Sequence, residues 1–215
     1  MGNSEAKESR RIVVISPHPD DAELGCGGSI VKHIGQCKDV YVLLLSAGEK
    51  AGIERVEESK ESLKVLGVQD ACIYVEEFPD TKMNLLVAHI GNIITELFQA
   101  LRPHIVYMPA REDLHQDHVA VNTAAHVAIK TVPNIEAIHE YESSNSMETF
   151  APNYYEILSA IQVNTKLDAI AKHESQKHKY YMGMNNVKTR MMFRGYQTGS
   201  ECMAEAFKTK IISRG

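Results

Sequence analysis

Short β-branched runs alternate with longer stretches of helical spacing along most of this chain. Arg11 to Ser16 (RIVVIS) predicts a strand, ended abruptly by a turn-like His-Pro-Asp-Asp segment. Leu24 to Gly35 carries apolar residues at helical spacing and stops at a glycine. Val40 to Ser46 (VYVLLLS) is apolar almost throughout, the pattern of a strand covered on both faces. Glu54 to Leu66 predicts an amphipathic helix, with Val56, Leu63 and Leu66 inward and Gly67 closing it. Ala71 to Val75 reads as a strand and Leu85 to Leu101 as a helix ended by Arg102-Pro103; His104 to Met108 (HIVYM) is a further strand. A helix over Val119 to Ile129, strands over Ala137 to Tyr141 and Tyr154 to Leu158, and a helix over Val163 to Tyr180 follow. From Met182 the pattern is ambiguous until Ala204 to Ile212.

Repeated strand–helix alternation predicts an α/β fold: a Rossmann-like, doubly wound, mainly parallel sheet between helical layers. No internal repeat or linker divides the chain, so a single domain over residues 11–215 is expected, behind a disordered polar lead-in over residues 1–10. In such sheets ligands bind beyond the carboxyl ends of the strands.

Composition narrows the partners. The chain has 215 residues, 44% hydrophobic and 24% charged, enough for one packed core. A formal net charge of −5 leaves no Lys/Arg surplus to neutralise phosphates, which argues against nucleic acid. No apolar run reaches the length of a membrane span, and the polar N-terminus lacks a signal-peptide core. Ala6 also breaks the usual myristoylation pattern. A cytoplasmic homo-oligomer with no membrane partner is the expectation. Cys26, Cys37, Cys72 and Cys202 are scattered, and are expected as free thiols serving as small buried hydrophobes.

Two loops at predicted strand ends concentrate the chemistry. The first is His18-Pro19-Asp20-Asp21-Ala22-Glu23-Leu24-Gly25-Cys26-Gly27-Gly28; the second is Arg111-Glu112-Asp113-Leu114-His115-Gln116-Asp117-His118. A zinc ion that activates water takes about three protein ligands and keeps a position open. His18, Asp21 and His118 can supply those ligands. Asp20 then stands beside the ion and free to take a proton from water, with His115 across the site and Asp117 placed to orient or charge its ring. Taken alone, the HPDD turn also fits a helix N-cap, and so does the HQDH segment. A dinucleotide site would need G-x-G-x-x-G directly after the strand, where this chain has HPDD.

HPDDAELGCGG together with HQDH resembles the signature of the LmbE-like deacetylase superfamily, which includes the PIG-L and the mycothiol- and bacillithiol-pathway deacetylases. Weaker similarities extend over nearly the whole chain: Arg55 with Glu58, Phe78-Pro79-Asp80, the stretch from Lys166 to Gln176, and Ala204-Glu205-Ala206-Phe207. The resemblance implies a metal hydrolase, with Zn2+ or another divalent transition metal, that removes N-acetyl groups from small N-acetylglucosamine-like sugars or their conjugates. His18, Asp21 and His118 match its metal ligands, Asp20 its general base and His115 its oxyanion-stabilising residue. Arg55 and Asp80 match positions that touch substrate in some relatives. Asp113 departs from the pattern, standing where some relatives carry a tyrosine that polarises the amide carbonyl.

In the mechanism this implies, Asp20 deprotonates the attacking water, a protonated His115 stabilises the oxyanion, and a proton reaches the leaving amine. Glu23 is the fallback base. A deacylase of a non-sugar amide and a metal- or sugar-binding module without turnover are the alternatives. Asp20 speaks against the second, because a pure binding site has no use for a carboxylate beside the ion and off it.

Overall fold

The computed structural model describes residues 9–47, 52–133 and 135–211. Strands β1 (Arg11–Ser16), β2 (Asp39–Leu44), β3 (Ile73–Val75), β4 (Ile105–Pro109) and β5 (Ala137–Tyr141) are parallel neighbours. β7 (Met203–Ile211) pairs antiparallel with β5 and with β6 (Tyr154–Leu158), giving the order β3-β2-β1-β4-β5-β7-β6. The helices are α1 (Asp21–Gly35), α2 (Gly52–Val65), α3 (Val87–Leu101), α4 (Gln116–Ile129), α5 (Ala160–Ile170) and α6 (Met184–Tyr196).

Both faces of the sheet are buried, which is why its central strands read as unbroken apolar runs. Val13 and Ile15 of β1 meet Ile94 and Phe98 of α3 and Val121 and Ala125 of α4. Ile12 and Val14 face the other way, toward Ala22 and Ile30 of α1 and Leu63 of α2. A third apolar cluster joins Leu24 to α5 and α6 through Val163, Leu167, Val187 and Met191. No described helix is long and apolar enough to cross a membrane.

The chain leaves β1 toward β2, while β4 lies on the other side of β1. The carboxyl ends of β1 and β4 therefore flank the topological switch point, where doubly wound sheets open a crevice. Both motif loops start there.

Several boundaries differ from the sequence pattern. α1 and α4 begin at Asp21 and Gln116, each three residues before the predicted start. Their first turns carry polar site residues, so the apolar periodicity begins one turn late. The helix predicted to reach Tyr180 ends at Ile170, followed by short 3₁₀ turns over Glu174–Gln176 and Tyr180–Met182. Tertiary bonds take that segment out of the helix: His173 Nε2 lies 3.1 Å from Glu23, and Ser175 N–H donates to Glu58 at 2.7 Å. α6, unassigned from sequence, buries Val187, Met191, Arg194 and Gly195. That spacing of four, seven and eight is helical.

α1 bends at Cys26, whose φ/ψ of −144/22 is not helical. The second half is capped from a distance, because Glu205 on β7 accepts from the N–H groups of Gly28 and Ser29, each at 2.8 Å. Lys166 neutralises Glu205 at 2.6 Å, and both side chains are buried. A side chain at Gly25 would collide with the Tyr141 ring, and one at Gly28 with Leu158. These glycines set how closely α1 lies on β5 and β6. The four cysteines are free as expected, but Cys37 and Cys202 are exposed rather than buried. Positions 1–8 of the expected lead-in lie outside the described residues; Ser9 Oγ–H donates to the Cys37 carbonyl at 3.2 Å and Arg10 pairs with Glu136.

Candidate active site

The turn after β1 is held by its own side chains. Asp21 Oδ2 accepts from the His18 N–H at 2.9 Å, and Ser16 Oγ accepts from the Ala22 N–H at 3.0 Å. Asp20 sits at the N-cap position of α1 without a side-chain capping bond, at φ 131, ψ −24. Backbone strain of that kind in a non-glycine residue persists where surrounding structure enforces it, commonly at functional sites. At α4 the capping reading holds: His115 is the N-cap residue, and its Nδ1 accepts from the Asp117 N–H at 3.3 Å.

His18, Asp20, Asp21, Arg55, Asp80, His115 and His118 line one open cleft. Asp21 Oδ2 lies 3.2 Å from His18 Nδ1 and 3.1 Å from His118 Nε2. The far nitrogen of each ring meets another carboxylate: His18 Nε2 faces Asp117 Oδ2 at 3.1 Å and Asp80 Oδ1 at 3.0 Å, and His118 Nδ1 faces Asp113 Oδ2 at 2.8 Å. With an ion on the near nitrogens, the far nitrogens would carry the ring protons toward these carboxylates, as in metal-ligating histidines. The donor set fits a divalent ion. Two groups have all their metal-capable atoms within 4.8 Å of one another among the described residues, His18 with His115 and His118, and His18 with Asp80, His115 and Asp117; Asp21 belongs to neither. In the first grouping His115 differs, since its Nδ1 is already taken by a backbone donor.

The electrostatics favour a cation in this place. Burial opposes charge on His118, yet Asp21 and Asp113 outweigh it and raise its pKa to about 9. Burial likewise opposes charge on His18, and Asp117, Asp21 and Asp80 overcome it. Asp80, hydrogen-bonded to His18, is held down to about 2. Asp20 goes the other way. Its burial and the adjacent Asp21 charge raise it to about 6, against the pull of Arg55.

The surroundings of three residues bear on the roles expected of them. Asp117 meets the His115 ring through its N–H, which donates to Nδ1, and through its charge, which raises the ring's pKa, while its carboxylate accepts from the N–H groups of Thr81 (2.7 Å) and Met83 (3.0 Å) and faces His18. The carboxylate ties the Asp80 loop to the candidate ligand. His115 is not poised as an imidazolium, because burial and the neighbouring His18 and His118 lower its pKa. With Nδ1 accepting, it is a neutral ring carrying its proton on Nε2. Glu23 does not reach the cleft; it is fully buried against Ser59 (2.9 Å) and His173 (3.1 Å).

Arg55 is 7% exposed, which excludes a solvated helix charge. Its Nη2 donates to the Pro19 carbonyl at 3.0 Å and to Asp20 at 3.4 Å, so it lines the cleft while holding the strained turn. Asp113, notable in the sequence only as a departure, proves to be the support of His118. It also accepts from the His115 N–H at 2.8 Å and from Ser143 Oγ–H. The cleft is completed by Ser144, Asn145, Lys179 and Tyr181, none of them singled out from sequence. The strand-end rule applied to β5 would have found the first two. The other two follow α5, where nothing in the local pattern marks them.

A family model described as PIG-L, GlcNAc-PI de-N-acetylase, matches residues 13–129. An uncharacterised deacetylase of Escherichia coli K12, YaiS, is 33% identical over 185 residues, covering 80% of this chain and 95% of that protein. A diacetylchitobiose deacetylase of Thermococcus kodakarensis is 28% identical over 198 residues, covering 81% of this chain and 73% of that one. Among solved structures, a conserved protein of Thermus thermophilus aligns at TM-score 0.79 and 23% identity over 95% of this chain and 96% of its own. A 4-carboxy-2-hydroxymuconate hydratase of Pseudomonas putida aligns at 0.76 and 15% identity over 96% and 98%. The fold alone therefore selects no single reaction.

Proposed function

This chain belongs to the PIG-L family of de-N-acetylases, and from that membership we propose a zinc-dependent hydrolase that removes the N-acetyl group from a small amino sugar of the N-acetylglucosamine type, free or conjugated. The observation that carries this reading is Asp20. It is a buried carboxylate next to the candidate ligands, strained, braced by Arg55 and raised to about 6, which suits a base working near neutrality.

His18, Asp21 and His118 would hold the ion, which supplies Lewis acidity toward the carbonyl and toward water. Another divalent transition metal would suit the same donors. Asp20 takes the proton of the attacking water and returns it to the departing nitrogen, since an amine anion is a very poor leaving group. His115, as a neutral ring, donates its Nε2–H to the oxygen that gains charge. Arg55 keeps Asp20 in place and lowers its proton affinity. The diacetylchitobiose deacetylase relative supports a sugar substrate.

The test is release of acetate together with a new primary amine from a panel of N-acetyl sugars, with N-acetyl amino acids alongside. Asp20→Asn is expected to keep its zinc and lose roughly 10²–10⁴-fold in rate. In the wild type, kcat/KM should fall as pH drops through about 6, because a protonated Asp20 cannot accept water's proton. Undiminished turnover by Asp20→Asn removes the base from this position. Preference for the amino acids removes the sugar.

A further inference from the structure

Hydrolysis of an amide builds negative charge on the carbonyl oxygen, and preorganised donors aimed at that oxygen are among the strongest contributions to rate. Along the HQDH wall of the cleft one neutral donor is available, His115 Nε2–H. Asp113 cannot be a second, being an acceptor held by His118, Ser143 and the His115 N–H. The segment after α5 lines the same cleft, and Tyr181 stands there.

Tyr181 is firmly placed. Its ring is half-buried and packs on the cluster of Leu24, Leu167 and Met191, and the next residue, Met182, is inserted into that core at 4% exposure. The Tyr180 carbonyl is fixed by the Asn186 amide. Lys179 extends its ammonium over the Tyr181 ring, 5.6 Å from the centroid, so that cation lies against the ring rather than in front of it. The phenol is within electrostatic reach of both Asp20 and Asp21. Burial and those two charges raise its pKa well above the ordinary tyrosine range, so the group keeps its proton and remains a donor.

We propose that Tyr181 is a catalytic residue of the deacetylation, its hydroxyl donating a hydrogen bond to the oxygen that becomes the oxyanion. The assignment rests on the deacetylase reading of this cleft. Water oxygen bonds to the carbonyl carbon, the π pair moves to oxygen, and water's proton passes to Asp20. Tyr181 and His115 hold the oxyanion without giving up their protons. As the carbonyl re-forms, the C–N pair leaves on nitrogen and takes the proton back from Asp20.

Tyr181→Phe removes one oxygen and keeps the packed ring. On the N-acetyl sugar that the wild type turns over fastest, kcat is expected to drop about 10²-fold, with KM, zinc content and Tm unchanged. A phosphonamidate mimic of the tetrahedral state should lose affinity by a similar factor, while the free amino-sugar product binds as before. An unchanged kcat, a loss confined to KM, or the same kcat loss in Asn145→Ala but not in Tyr181→Phe would overturn the assignment. A fall in kcat that tracks lost zinc or lowered Tm would also overturn it, leaving a structural role. A wild type that releases no acetate from any sugar overturns the deacetylase reading itself, which is a different result from an active wild type matched by Tyr181→Phe.

Discussion

At the scale of single residues the cleft works by pairing. Each ring assigned to the ion has a carboxylate behind it, and these supports decide which nitrogen is left to bind. Asp113 shows the point: a carboxylate five residues ahead of His118, where it reaches the ring's far side, and fully committed there. Asp113→Asn keeps the shape but weakens the acceptor, so zinc affinity should fall by about 10- to 100-fold, measured by equilibrium dialysis against a chelator buffer. An affinity equal to the wild type would separate Asp113 from the ion. Asp20 and Asp21 are adjacent carboxylates pushed in opposite directions: burial raises both, and His118 and His18 outweigh it for Asp21, whereas for Asp20 the Asp21 charge adds to it. Divergent neighbours of this kind mark the division between acid–base work and ion binding.

At the scale of elements, the turn after β1 is only as well placed as α1, and α1 is two half-helices joined at Cys26. Glu205 fastens the second half to β7, and Lys166 of α5 closes the triangle by also donating to the Leu24 carbonyl at 2.8 Å. Glu205→Gln leaves the Lys166 ammonium buried without its counter-charge. A loss of about 3–5 kcal/mol in denaturant unfolding is expected. The double variant with Lys166→Met should recover much of it, because the penalty belongs to the stranded charge and not to the missing bond. Failure of the second change to restore stability would place the loss in the helix cap instead.

For the whole molecule, acid sensitivity has a source away from the cleft. Tyr107 is buried between two histidines: His33 Nε2 lies 2.8 Å from its hydroxyl, and the His139 ring stacks on it with centroids 4.7 Å apart. Burial lowers His33 to about 3, helped by Lys38, and lowers His139 to about 4. Both histidines of the unfolded chain titrate near about 6.5. Between these values the unfolded state binds more protons, so stability rises with pH across the window. It is fully present above about pH 6.5 and is lost as pH falls toward about 4 for His139 and about 3 for His33. Each histidine contributes up to about 1.4 kcal/mol per pH unit within its window. His33→Gln with His139→Gln should flatten the dependence of unfolding free energy on pH from 4 to 6.5, whatever it does to the plateau. An unchanged slope would assign acid sensitivity to other groups.

The chain's linear pattern determined the layered α/β architecture and the place of the cleft, because a strand buried on both faces must be apolar throughout and its loop must then carry the polar residues. β1, β5 and β6 begin and end where their composition changes. HPDD and HQDH were likewise legible, since each sits at a strand end and each concentrates histidine with carboxylate. Only the tertiary structure decided which carboxylate serves which ring. Asp117 lies two residues from His115 yet bonds the backbone of the Asp80 loop and faces His18, ninety-nine positions away. It also decided what else lines the cleft. Lys179 lies in a stretch whose spacing reads as helix and Tyr181 just beyond it, and the chain leaves that helix to meet Glu23 and Glu58. Local periodicity records which side of an element is buried, but partners far apart in sequence are chosen by packing, where a carboxylate goes to whichever buried donors surround it.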